Sequence, residues 1–164
     1  MPIVKRANPP GPQIGSQKKR RGGTASEYKK SLQEKQILKR LYGLSERQFK
    51  KYVKETLLRM GKVQDVGNEL IRRLEKRLDN AVFRLGFALT RAHARQLVSH
   101  GIFTVNGKPV NIPSFELEKG DIVSIKESKK SKIVFKDLAL SLKKKEVPLW
   151  LSLNKDKFEG TTIG

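Results

Sequence analysis

Apolar positions recur at helical spacing from about Tyr28 to Gly101 and at short alternating spacing after that. Leu32, Leu38, Leu41 and Tyr42 share one side of a segment that begins near Tyr28, and Gly43 can close it. "LSERQF" then carries a helix start, with Ser45 as N-cap, Gln48 completing a capping box and Leu44 placed to staple onto Phe49. Phe49, Val53, Thr56, Leu57 and Met60 extend the apolar stripe as far as Gly61, which leaves Arg47, Lys50, Lys51 and Lys54 facing outward. A third helix is predicted from about Asn68 to Gly86, its buried face marked by Leu70, Leu74, Leu78, Ala81, Val82 and Leu85. "TRAHARQLVSHG", residues 90–101, predicts one more: Thr90 caps it, Gly101 ends it, and Ala94, Leu97 and Val98 point inward.

Beyond Gly101 the period becomes two. "IFTVNGKPV" reads as a hairpin, because Asn106-Gly107 supports the positive φ angles of a type I′ turn. "GDIVSI" adds a strand entered through Gly120-Asp121, with Ile122 and Ile125 supplying apolar contacts. Residues from about 77 to 126 thus form a helix-helix-antiparallel-sheet module, and the fold class is α+β. Two helices alone would also fit a helix-turn-helix DNA reader, whose minimal form lacks the hairpin. Residues 131–145 suggest a helix with Ile133, Leu138 and Leu142 inward and Lys143, Lys144 and Lys145 outward, ended by Pro148. "VPLWLSL" reads as extended, with Trp150 as a packing anchor.

Charge narrows the choice of partner. The 164 residues carry 36 Lys+Arg against 16 Asp+Glu, a formal net charge of +20, which attracts polyanions. A membrane is the poorer match, since no apolar run approaches the roughly 18 residues needed to span one and no secretory-type apolar core lies near Met1. With no cysteine, disulfides, thiolate zinc sites and cysteine nucleophiles are all excluded, and a cytoplasmic location is expected. Residues 1–30 hold eight basic residues and one acidic one among many prolines and glycines. Such a segment buries too little apolar surface to offset its chain entropy, so it is expected to order only on a polyanion, through Lys18, Lys19, Arg20 and Arg21. A mitochondrial transit peptide is the minor alternative, and the Pro and Gly density argues against the amphipathic helix it would need.

The helix at 90–101 also carries Arg91, His93, Arg95 and His100. Arg91, Arg95 and Ser99 form a stripe beside the apolar side, advancing about 40° per step. The two histidines lie on a shared stripe but are separated by about 10.5 Å along the axis, too far for one zinc ion to bridge. Thr90 and Ser99 supply hydroxyls, but no carboxylate lies near in sequence to complete a triad with them. No metal, cofactor or catalytic residue is expected.

"RLDNAVFRLGFALTRAHARQLVSHGIFTVNGKPVNIPSF", residues 77–115, resembles the RNA-binding module of the bacterial-type family of small-subunit ribosomal protein number four, the S-four family. "NPPG" at 8–11, "EKQILKRLYGLSERQFKKYV" at 34–53 and "VPLWLSLNKDKFEGT" at 147–161 resemble the arm, helical unit and C-terminal segment of the same family, in order. The module also occurs in pseudouridine synthases, some tyrosyl-tRNA synthetases and a heat-shock ribosome-recycling protein, and the colinear flanks favour the ribosomal family. Family members usually have more residues before the arm, some with a four-cysteine zinc knuckle, and typically continue beyond the position of Gly164 into a short terminal segment; functions of those ends do not carry over.

The resemblance implies a basic arm at 1–27, a helical unit at 28–76, the module inserted at 77–130, and a C-terminal helix and extended segment at 131–164 returning to the helical unit. It implies a non-enzymatic ribosomal constituent that binds a multi-helix junction in the 5′ domain of small-subunit ribosomal RNA early in assembly. It further implies a place beside ribosomal protein number five, near the channel through which messenger RNA enters, with effects on decoding accuracy and messenger unwinding. The ribosome would be cytoplasmic, with an organellar one as alternative. Carried over by residue, the motif puts Arg91 and Arg95 on the RNA face, with Arg77 and Lys108 as additions, while Asp79 is assigned to structure. An RNA-modifying enzyme would need a further catalytic domain of about 100 residues or more, and a DNA regulator a dimer interface. The nearest rival is an RNA-binding chaperone or assembly factor with the same module.

Overall fold

The computed structural model describes residues 27–59, 65–131, 138, 142 and 145–164. The basic arm with Lys18, Lys19, Arg20 and Arg21 lies outside the described residues, as do Met60, Gly61, Ile133, Lys143 and Lys144. Helices α1 (Glu27–Leu41), α2 (Glu46–Leu58) and α3 (Val66–Glu75) precede α4 (Leu78–Leu85) and α5 (Arg91–Ser99). Strands β1 (Phe103–Val105), β2 (Lys108–Pro109) and β3 (Ile122–Ile125), the short helix α6 (Glu127–Lys130), and strands β4 (Leu151–Asn154) and β5 (Glu159–Thr162) follow. The five strands make one antiparallel sheet in the order β2-β1-β3-β5-β4.

The local signals act where they stand. Ser45 and Gln48 close a reciprocal capping box at the start of α2, and Thr90 accepts from the His93 backbone N–H at the start of α5. Asn106 and Gly107 take φ of 50° and 77°, so β1 turns directly into β2 with Val105 opposite Lys108.

Two apolar clusters result. Tyr42, Leu44, Phe49, Tyr52, Leu70 and Leu74 form the smaller one, in the helical unit. The larger lies between α4, α5 and the sheet and includes Leu78, Leu85, Phe87, Leu97, Phe103, Val123 and Ile125. Ile122 is turned outward, because the two-residue strand period that buries Val123 and Ile125 sends it to the other face. Leu32, Leu41 and Leu57 are also exposed; the first helix meets the core through Leu38 and Tyr42 at its C-terminal end.

The long helix expected across 68–86 is two helices. Arg77 takes an extended conformation and bridges Glu116. The first N–H groups of α4, from Leu78 and Asp79, donate to the carbonyls of Phe115 and Pro113, and Leu117 donates back to Lys76. Tertiary pairing with 113–117 thus breaks a stripe whose period continues unbroken.

The C-terminal residues, expected to return to the helical unit, join chiefly to the module. Leu138, Leu142 and Leu151 belong to the larger cluster, and β5 pairs with β3, covering a strand edge that would otherwise be open. Toward the helical unit this segment presents Trp150, which packs on the larger cluster and lines a cleft with Arg72, Glu75 and Lys76.

Candidate nucleic-acid interface

Two groups of basic side chains stand out among the described residues. Arg47, Lys50, Lys51 and Lys54 stand exposed on the outer side of α2, and Lys108 stands exposed just past the hairpin turn. Lys51 lies 3.8 Å from Glu55, whereas Arg47, Lys50, Lys54 and Lys108 make no ion pair among the described residues. Helical periodicity produces the first group: Phe49, Tyr52 and Thr56 take the buried side of α2 and leave these four for solvent.

The second group, five arginines, sits where the helical unit meets the module. Arg77 is 2 % exposed; it holds Asp79 through two bonds of 3.0 and 2.7 Å and donates to the Tyr52 hydroxyl at 2.8 Å. Its guanidinium is thereby enclosed, so the expectation that Arg77 faces RNA is corrected to a structural role. Asp79 also accepts from Arg95 Nε at 3.1 Å and Nη2 at 3.0 Å, as its assignment to structure requires. Arg95 continues across the joint, donating from Nη1 to the Gly43 carbonyl at 2.6 Å and from Nη2 to the Tyr42 carbonyl at 3.1 Å.

Arg91, one turn earlier on α5, donates to Asn80 Oδ1 at 2.9 Å and lays its guanidinium 4.5 Å from the Phe83 ring centroid and 5.1 Å from that of Tyr42. Arg84 of α4 reaches back to Glu75 of α3 at 2.7 Å, and Glu75 also accepts from the Tyr42 hydroxyl at 2.6 Å and from Asn80 at 2.8 Å. Arg73 of α3 bonds Glu55 of α2 and Glu116 of the module through one nitrogen, each at 2.8 Å, while its other two nitrogens have no partner among the described residues. Arg91 and Arg95 are both partly exposed, at the rim of this seam.

Profiles of two protein families match adjacent stretches. The Ribosomal protein S4/S9 N-terminal domain matches residues 2–75, and the S4 domain matches residues 76–123, so their border falls at the break between α3 and α4. Relatives match almost the whole chain. The small ribosomal subunit protein uS4 of Sulfurihydrogenibium sp. (strain YO3AOP1) is 47% identical over 160 residues, covering 97% of this chain and 76% of that protein. That of Thermoanaerobacter sp. (strain X514) is 46% identical over 163 residues, covering 99% and 74%, and the uS4A protein of Symbiobacterium thermophilum is 43% identical over 162 residues. The chain belongs to the uS4 family of small ribosomal subunit proteins.

Membership of the uS4 family makes the role structural rather than enzymatic. Among the described residues no helix is long and apolar enough to cross a membrane, and no group of three or more His, Cys, Asp or Glu could hold a metal ion. His100 is the C-cap of α5, and His93 lies within its first turn.

The electrostatics of the seam follow from its hydrogen bonds. Burial pushes the Glu75 carboxyl up, but bonds from Arg84, Tyr42 and Asn80 outweigh it and hold the group below its usual range. Burial, then the bond to Glu75, push the Tyr42 hydroxyl above its ordinary value. Arg91 is lowered by burial and by the neighbouring Arg84. Sequence reasoning missed Arg73, Arg84, Glu75 and Tyr42 as a connected group. The one sequence signal for the arginines is their density at 73–95, on faces beside the apolar stripe, with Glu75 and Asp79 between them; Tyr42 carries none.

Proposed function

We propose that the protein is a structural, RNA-binding constituent of the small ribosomal subunit that grips a multi-helix junction in the 5′ domain of the ribosomal RNA. The exposed cluster of Arg47, Lys50, Lys51 and Lys54 on one side of α2 carries this reading: four cations on a rigid helix, three of them without an ion-pair partner among the described residues, are a ready footprint for phosphates. Lys108 and the basic residues Lys18, Lys19, Arg20 and Arg21 extend the footprint. RNA helices offer phosphates and 2′-hydroxyls while hiding their major-groove base edges, so a junction is recognised mainly by shape, which suits two joined folded units. Binding there would nucleate assembly, and a position beside ribosomal protein number five near the messenger channel would account for effects on decoding accuracy.

Salt dependence tests the reading. With about eight phosphate contacts, log affinity for the 5′-domain junction RNA falls against log salt with a slope of roughly −6 to −7. The junction should also be preferred over an unrelated duplex of equal length at every salt concentration. A nearly flat slope would exclude the lysine surface as the binding face, and equal affinity for the unrelated duplex would exclude junction recognition.

A further inference from the structure

We propose, resting on the RNA-binding reading above, that Arg95 is a positioning residue: with Asp79 it latches the module to the helical unit at one angle, so that both units meet the RNA as a single preformed surface. The two apolar clusters have no residue in common, and the joint between them is bridged by the ionic network. Arg95 is its crossing point. Each of its three nitrogens already has an acceptor in the protein: Nε in Asp79, Nη1 in the Gly43 carbonyl, and Nη2 in both Asp79 and the Tyr42 carbonyl.

Those two carbonyls lie just past the end of α1, where helix carbonyls lack intrahelical partners and the helix dipole favours a cation. Gly43 sits at φ +61°, which ends the helix and turns the chain back. The planar fork of arginine therefore fits a site that asks for several donors in fixed directions, which lysine does not supply. A sheltered ionic joint contributes more to geometry than to net stability. Holding two RNA-contacting surfaces at a fixed spacing raises the effective concentration of the second once the first has bound. The latch thus acts on RNA affinity without contributing a phosphate contact of its own.

The counterion-release slope separates the two roles. Arg95→Ala and Arg95→Lys in the full chain are titrated with the 5′-domain junction RNA across salt, beside Lys50→Ala. The latch predicts that both Arg95 variants lose at least roughly tenfold in affinity while keeping the wild-type slope, whereas Lys50→Ala makes the slope shallower by about 0.7 to 0.9. Because the chain has no cysteine, Gln33→Cys with Ser128→Cys accepts a donor–acceptor dye pair across the joint. Its distance distribution should be narrow in the parent and broad in Arg95→Lys. A shallower slope for Arg95→Ala, full affinity in Arg95→Lys, or an unchanged distance distribution in Arg95→Lys would each overturn the latch. Failure of the RNA-binding reading shows separately, as a wild-type protein with a flat slope. Should Arg95→Ala not fold, Arg95→Lys still decides, since a direct phosphate contact would tolerate it.

Discussion

At Asp79 one carboxylate accepts from two guanidinium groups and from the Asn80 backbone N–H, in surroundings almost closed to solvent. Removing it leaves the Arg77 cation buried beside a tyrosine hydroxyl with no anion. Asp79→Ala should therefore cost about 3 to 5 kcal/mol in chemical denaturation, the usual range for breaking one side of a buried pair. An exposed lysine such as Lys54 should be within about 0.5 kcal/mol of neutral when replaced by alanine. Acid should act on the same network. Glu75 and Glu55 are both held below their ordinary carboxylate range, as is the exposed Glu46, at about 2, by its hydrogen bonds from Lys35 and Lys39. A carboxyl with a depressed folded-state pKa stabilises fully above its unfolded value of about 4.3 and loses that contribution as pH falls through the folded value. The thermal midpoint should accordingly drop as pH goes below about 4.3, and the drop should be smaller in Glu75→Gln. An equal acid response in that variant would show that Glu75 does not contribute to it.

Among the elements, the added hairpin β4–β5 has the tightest fit. A methyl group at Gly160 would overlap the Leu85 side chain on α4, and Leu85 is itself fully buried. Gly160→Ala should destabilise by about 1 to 3 kcal/mol through overpacking, with the added Leu85→Ala relieving part of the loss; strict additivity of the two would contradict this contact. The same hairpin shows where sequence reading stops. Ser45 with Gln48, Thr90 at α5 and Asn106-Gly107 were legible because each signal and its effect lie within a few residues. The break at Arg77 was not, since Leu74, Leu78 and Leu85 keep helical period across it and the pairing that imposes it comes from 113–117. The seat of the C-terminal segment on β3 was hidden for the same reason. Of the candidate site, the outward face of α2 followed from periodicity alone. The acceptors of Arg95 lie 52 and 53 positions away at Gly43 and Tyr42, and no local pattern announces them.

Across the whole molecule, the positive charges of the seam are all guanidinium groups, whereas Arg40, Arg47, Arg59 and Arg72 stand exposed with the surface lysines. Arginines 73, 77, 84, 91 and 95 tie the two units together, each at the seam, while lysines and Arg47 on α2 face solvent. Guanidinium suits the first task through its rigid fork, and ammonium suits the second as a solvated point charge. A chain of net charge +20 repels itself, so its natural state is one in which polyanion balances the outer set. Sedimentation of the tagged protein in cell lysate tests that conclusion most directly. One copy per small subunit is expected, co-sedimenting through a moderate-salt gradient with little in the free pool. Recovery only in the free or precursor fractions, with mature small subunits lacking it, would contradict the ribosomal role and favour an assembly chaperone.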